Sequence, residues 1–242
     1  MNKKNERLVV GIHQPDLMPW FGFWSKLIKS DILVILDHTH NNPRDSNSWM
    51  RRVRMIMGHQ TDWFSVSLTK EKGKIGLPIN EIEINIIGSN FKKTYTTLQQ
   101  TYKKAPYFNE GIHLVEQYIE HPSTLLMDRN IDFIKEIISS NEMNTKLIYS
   151  SSLNCYNSST ELLVEILKKL DATVYLSGDG ASGYMDIGLF KKENIEIEYN
   201  NFVPFQYNQF NSDTFKEGLS VVDYIMNYGA NSIKPILQNI SL

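Results

Sequence analysis

The sequence predicts an α/β fold: a mostly parallel sheet flanked by helices, with a helical middle section over about residues 90–141. Three observations carry this. "RLVVGIH" (7–13) and "DILVILD" (31–37) are short runs rich in Val, Ile and Leu, the pattern of strands buried on both faces. Between them, "PWFGFWSKLIKS" carries apolar residues at helical spacing with Pro19 near its start, a compact crossover of the kind parallel strands need. From Asn90 to Asn141 the period becomes helical throughout.

The remaining elements come in chain order. "WFSVSL" (63–68) and "INEIEINII" (79–87) alternate apolar and polar residues, so both read as half-exposed strands. The middle section falls into three helical pieces, interrupted at Pro106 and Pro122. "TKLIYSSSL" reads as a strand, and "SSTELLVEILKKLDA" as an amphipathic helix with a capping-type start ahead of Glu161. "TVYLSG" and "NIEIEYNNF" are strands around a glycine-rich turn, and "LSVVDYIMNYG" is a helix closing at Gly229. No repeat, low-complexity run or linker divides the chain, so a single α/β domain over 1–242 is the simplest account.

Composition excludes several classes of function. Of the 242 residues, 41% are apolar and 21% charged, which suits a folded globular protein. A formal charge of −2 gives no general pull toward nucleic acid or anionic lipid. The single cysteine, Cys155, admits neither an internal disulfide nor a paired-cysteine metal site. No apolar run reaches the roughly 18 residues of a membrane span or resembles a signal peptide, so the expectation is a soluble, cytoplasmic protein.

The residues with chemical potential lie where strands hand over to loops. His13 follows the first strand and precedes Gln14 and Pro15; ligands of parallel α/β sheets sit beyond the carboxyl ends of the strands. A histidine there can act as general base or simply hold the loop by hydrogen bonding. Asp37 is expected at the same edge, orienting an imidazole, holding a substrate hydroxyl or capping a turn. His38 and His40 stand two apart, as strand neighbours on one face do, yet further ligands at metal-binding spacing are not evident. Arg51, Arg52 and Arg54 lie beside Trp49, where guanidinium forks suit a diphosphate better than a nucleic acid. Trp20, Phe21, Phe23 and Trp24 offer both packing and pocket wall. Gly178, Gly180 and Gly183 make a formal GxGxxG, with Glu198 near the ribose-binding position. The following segment contains Gly188 and is short for a crossover helix, so a tight turn presenting Ser177, Asp179 and backbone N–H groups fits better than dinucleotide binding. Cys155, in the polar "SLNCYNSS", needs a histidine partner to serve as a nucleophile.

"HQPDLMPWFGFWSKLIKSDILVILD" resembles the opening signature of the WbqC-like proteins. "WMRRVRM", "YKKAPYF", "YLSGDGASGYMD", "YNQF" and "LSVVDYIMNYG" resemble further elements of that family, in order. Carried over position by position, the motif residues are His13, Gln14, Trp20, Gly22, Lys26, Asp31, Asp37, Arg52, Ser177, Gly178, Gly180, Tyr184, Gln209 and Asp223. Two positions depart: Leu17 stands where the family pattern has Tyr, and Arg51 where it has Asn.

The resemblance implies a role in bacterial surface-polysaccharide (O-antigen) assembly. The expected activity is N-acyl or aminoacyl transfer, glycine included, onto a nucleotide-linked amino sugar. In that scheme His13 is the base and Asp37 or Gln14 orients it. Backbone amides at Gly178 and Gly180, or the Ser177 hydroxyl, hold the oxyanion. Lys26 and Arg52 take phosphate, Trp20 stacks a base or sugar, and Tyr184 and Gln209 complete the substrate contacts. The partners are then the sugar nucleotide and an acyl or aminoacyl donor; no cofactor or metal is called for. A homodimer is compatible with the chain. Two further readings stay open: a non-catalytic sugar-nucleotide-binding or docking protein, and a metal-free glycosyltransferase.

Overall fold

The computed structural model describes residues 6–41, 48–69, 76–178, 185–210 and 212–240. Backbone contacts divide the chain into two compact units. The first comprises Met1–Gln14, Gly22–His38 and Asn144–Val203; the second comprises Pro15–Phe21, Thr39–Met143 and Pro204–Leu242.

The first unit holds a five-stranded, wholly parallel sheet. Its strands are β1 (Val9–His13), β2 (Ile32–Ile35), β5 (Lys146–Tyr149), β6 (Val174–Ser177) and β7 (Glu196–Tyr199). Their spatial order is β5-β2-β1-β6-β7. The chain therefore builds outward from β1 on one side, then returns and builds outward on the other, and the order reverses between β1 and β6. In open α/β sheets such a reversal leaves a crevice at the carboxyl ends of the two strands. β1 pairs with β2 as far as His13↔Ile35, but with β6 only as far as Gly11↔Leu176, so the β1–β6 ladder ends two residues earlier along β1.

Alternation along β1 sends side chains to both faces. Val10 and Ile12 join Val34 and Tyr175 in a core with Leu162, Ile166 and Leu167 of α5 (Ser159–Lys169) and Phe190 of α6 (Ile187–Lys192). Gly11 faces α1 (Phe21–Ile28): a Cβ there would stand 2.7 Å from Ser30 Oγ and 3.4 Å from Lys26 Cε. Glycine at 11 thus lets the lysine stem cross the strand. Helix α5 carries Glu161 in its first turn and Lys168 and Lys169 in its last, which complements its dipole.

The second unit contains the hairpin β3 (Arg52–Met57) and β4 (Gln60–Ser65), the helices α2 (Phe91–Tyr102), α3 (Phe108–Glu120) and α4 (Leu126–Ser140), and the C-terminal α7 (Val221–Tyr228) and α8 (Ile233–Ile240). Gly58, at φ 73°, starts the two-residue hairpin turn. Val53, Met55 and Phe64 bury one face of the hairpin, where Phe64 meets Phe91 and Tyr118. The buried Arg129 guanidinium closes the end of α3 by donating to the carbonyls of Tyr118 (2.6 Å), Ile119 (3.2 Å) and His121 (2.5 Å), while its Nε donates to Ser123 O (2.8 Å).

Several sequence expectations change. The 79–87 alternation does not form a strand: Ile79–Glu81 is a 3-10 turn, and residues 82–87 pair only through the bridges Leu68↔Ile84 and Glu83↔Leu125. Pro78 and that turn use up the residues a ladder needs. The basic segment at 52–57 is itself a strand, and α8 adds a final helix unforeseen in the pattern. Ser158 caps α5 without a side-chain hydrogen bond, so the expected capping box is not made.

Candidate functional site

In the first unit, the reversal point between β1 and β6 is flanked by two motif segments. His13 and Gln14 leave the end of β1, while Ser177 and Gly178 leave the end of β6. His13 Nδ1 lies 2.9 Å from the Gln14 carbonyl oxygen. A carbonyl only accepts, so Nδ1 carries the proton and the neutral ring keeps its lone pair on Nε2. Phe23 meets the imidazole edge to face at 5.0 Å. Burial, and then the positive charge of Lys26, lower the His13 pKa from 6.5 to about 3. Lys26 is itself buried and donates to Ile12 O at 2.6 Å, locking α1 to the end of β1.

Gly178 and Ser177 differ in what they offer. Among the described residues, a Cβ on Gly178 would meet nothing within 4 Å, so these leave open space beside its backbone. The Ser177 hydroxyl is fully buried and donates to the Gly178 carbonyl at 3.2 Å. Gly180 and Tyr184, with Asp179 and Gly183, lie outside the described residues. Asn200, which the sequence did not single out, ties this region together. Its N–H donates to Ser177 O (2.9 Å) and its amide to Gly22 O (3.0 Å), while Ser25 Oγ donates to its side-chain oxygen (3.0 Å).

Of the roles open to Asp37, the structure shows it holding a turn. Strand β2 stops at Ile35, and Asp37 lies two residues beyond, 2% exposed. Oδ1 accepts from Ser150 Oγ (2.9 Å) and Ser151 N (2.8 Å), and Oδ2 from Ser151 Oγ (2.6 Å). The carboxylate is committed to the turn after β5. The main-chain carbonyl of Gln14 orients His13. His38 Nδ1 lies 2.6 Å from Ser150 Oγ, and the His40 backbone bridges Pro78, so the two are not neighbours along one strand. Burial pushes the Cys155 thiol up, which argues against a nucleophile there. Glu198 pairs with Arg7 at 2.6 Å, away from any ribose-binding role.

The second unit gathers Trp20 and Arg52. Trp20 stacks on Trp49 at 6.4 Å, Trp49 meets Trp63 edge to face at 6.0 Å, and the Arg52 guanidinium lies 4.0 Å over the Trp63 ring. Sequence reasoning found three members of this set and missed Trp63. Its signal was the alternation of β4, which puts it on the same hairpin face as Arg52 and Arg54. Gln209 is buried and holds a loop, donating to Lys216 O (2.8 Å) and accepting from Lys216 N (2.6 Å). Asp223 accepts from Tyr102 (2.5 Å) and Tyr207 (2.7 Å), and burial raises its pKa.

The model of the WbqC-like protein family matches residues 14–235. The chain belongs to the WbqC-like protein family. It is also 26% identical, over 225 residues, to the uncharacterized protein Rv1507c of Mycobacterium tuberculosis, covering 92% of this chain and 95% of that one. No solved structure matches the chain. Among the described residues no helix is long and apolar enough to cross a membrane.

Within this WbqC-like chain the motif positions divide by what they touch. Asp37, Gln209 and Asp223 hold turns and helices, as their partners show. His13 and Gly178 flank the reversal point of the sheet, and Trp20 and Arg52 belong to an aromatic surface.

Proposed function

We propose that this chain is an N-acyl or aminoacyl transferase acting on a nucleotide-linked amino sugar in surface-polysaccharide assembly, with His13 as general base. One observation carries the reading: a neutral histidine of fixed tautomer, and a glycine that no described residue crowds, flank the reversal point of a parallel sheet. That is where such sheets hold their ligands.

The chemistry follows from those groups. The sugar amine attacks the acyl carbon, the bond from that carbon to the donor breaks, and an amide forms. His13 Nε2 takes the proton released by the amine and returns it to the leaving group. At rest the imidazole is a weak base, because burial and Lys26 oppose its charge. A bound diphosphate offsets the Lys26 charge, the lesser of the two causes, and so raises the basicity part of the way. Gly178 gives the acyl group access to the backbone. Lys26, buried against Ile12, acts as a positioning residue. Asp37 and Gln14 support the site through their turn and their carbonyl.

A second reading, ligand binding without turnover, draws on the same low basicity: a histidine neutral down to about pH 3 is also a durable hydrogen-bond partner. One experiment separates the two. The protein is challenged with UDP- and dTDP-amino sugars and, in parallel, with acyl and aminoacyl donors, and N-acylated product is sought by mass spectrometry. Transfer predicts product from the wild type, none from His13→Gln, and a raised thermal midpoint with the sugar nucleotide in both. Equal turnover by wild type and His13→Gln would falsify the role of His13. A thermal shift with no product from any donor establishes the binding reading instead.

A further inference from the structure

Three of the four tryptophans of the chain, Trp20, Trp49 and Trp63, lie in one contiguous set, while the fourth, Trp24, is fully buried. Trp49 is 41% exposed and Trp63 37%. Exposed aromatics scattered singly are ordinary, but a contiguous set with a cation marks a binding surface. The hairpin explains why it faces outward. Val53, Met55 and Phe64 fill the core from one face, and period-two alternation leaves Arg52, Arg54 and Trp63 on the other.

The arginine is held in an unusual way. Among the described residues the Arg52 guanidinium makes no hydrogen bond or ion pair. Its contact is the Trp63 ring at 4.0 Å, and its Nε is buried without a partner. Arg54 differs, donating to Thr61 Oγ1 at 3.1 Å and to the Glu217 carbonyl at 3.4 Å. A guanidinium oriented by a ring retains donors for a planar anion, and the exposed indoles offer flat apolar faces. A flat face beside a carboxylate-matching fork suits a pyranose ring that carries an acid group.

We propose that Trp49 and Trp63 with Arg52 form a subsite for an acidic pyranose of a saccharide, the indoles taking the sugar face and Arg52 its carboxylate. This deepens the transferase reading and rests on it for the saccharide class alone; it names no role for His13. The probe is trigalacturonic acid, compared with its methyl ester, which keeps the rings and removes the charge. Binding is followed by tryptophan fluorescence and calorimetry.

The wild type is expected to bind the acid about tenfold more tightly than the ester, the gain a charge-assisted fork supplies. Arg52→Met removes that preference, and Trp49→Ala with Trp63→Ala weakens both ligands. An unshifted thermal midpoint confirms that each variant is folded; where Trp63→Ala lowers it, Trp63→Phe replaces it and retains ester binding while weakening it. Absence of binding by either saccharide at millimolar concentration, equal binding by Arg52→Met, or tighter binding of UMP than of trigalacturonate overturns the proposal. Saccharide binding without turnover leaves this subsite standing and removes the transfer reading. Turnover dependent on His13 without saccharide binding here does the reverse.

Discussion

His13 Nδ1 stands 2.9 Å from the Gln14 carbonyl oxygen, and this contact sets which nitrogen of the ring can accept a proton. It also explains why the residue tolerates neutrality: the one hydrogen-bond donor of the neutral ring is already satisfied by the chain just after it. Burial, and then the neighbouring charge of Lys26, hold the ring neutral.

That arrangement makes stability depend on pH. The folded chain resists protonating His13 until about pH 3, whereas the unfolded chain accepts the proton near 6.5. Between those values the unfolded state binds more protons, so stability falls as pH falls, at up to about 1.4 kcal/mol per pH unit for one proton. His13→Gln removes this dependence. Urea unfolding at a series of pH values between about 7 and about 4.5 should therefore show the wild type losing stability relative to the variant as acid is added. Parallel curves for the two proteins would mean that His13 titrates normally.

Glycines 11 and 178 should respond oppositely to a methyl group. At Gly11 the added Cβ would stand 2.7 Å from Ser30 Oγ and 2.9 Å from Leu33 Cδ1, so Gly11→Ala is expected to cost about 1–3 kcal/mol by overpacking. At Gly178 it meets nothing within 4 Å among the described residues, and Gly178→Ala should leave stability within about 0.5 kcal/mol of wild type. The same methyl should weaken sugar-nucleotide binding about tenfold by blocking approach to the backbone. A thermal midpoint and a binding titration on each variant test both halves.

How much of this was legible depended on where each residue finds its partners. β1, β2 and β6 were readable because each is buried on both faces and its apolar run is continuous. β3 was passed over because its arginines read as a charged patch, although R-V-R-M is itself a period-two pattern. The alternation at 79–87 misled in the other direction, since half-buried extended chain and ladder-forming strand share the same signature. Among site residues, His13 was placed by its position after a strand. Asp37 had three roles open to it, at an imidazole, a substrate hydroxyl or a turn, and its turn partners Ser150 and Ser151 were not legible because they lie 113 and 114 residues away in sequence. Trp63 lacked any local cue to Arg52 until the hairpin register was known.

Asn130 offers a test of the buried framework beneath the motifs of the second unit. From α4, fully buried, it donates to Pro15 O and Met50 O at 2.8 Å each and accepts from Tyr118 OH at 2.9 Å. It therefore fastens the chain just after the histidine motif to the chain just before Arg51. Asn130→Asp replaces a donating amide by an oxygen that faces two carbonyls, leaving both unsatisfied and adding a buried charge. A loss of about 3–5 kcal/mol is expected in chemical denaturation, more than for Asn130→Ala. If the order is reversed, the amide is not the donor to those carbonyls.

Asp37→Asn separates a structural from a catalytic carboxylate. Three donors converge on Asp37, two hydroxyls and the Ser151 N–H. An amide in its place can accept through one oxygen only and turns a second donor toward Ser151 Oγ, so the turn after β5 loosens. Stability should fall by about 1–3 kcal/mol, the range for charge-assisted hydrogen bonds in a buried setting. Because the carboxylate engages Ser150 and Ser151, the titration of His13 should stay near pH 3 in the variant, as followed by the imidazole NMR signals. A His13 pKa that moved by a full unit with unchanged stability would restore Asp37 as the group that orients the imidazole; loss of stability with an unmoved pKa assigns it to the turn.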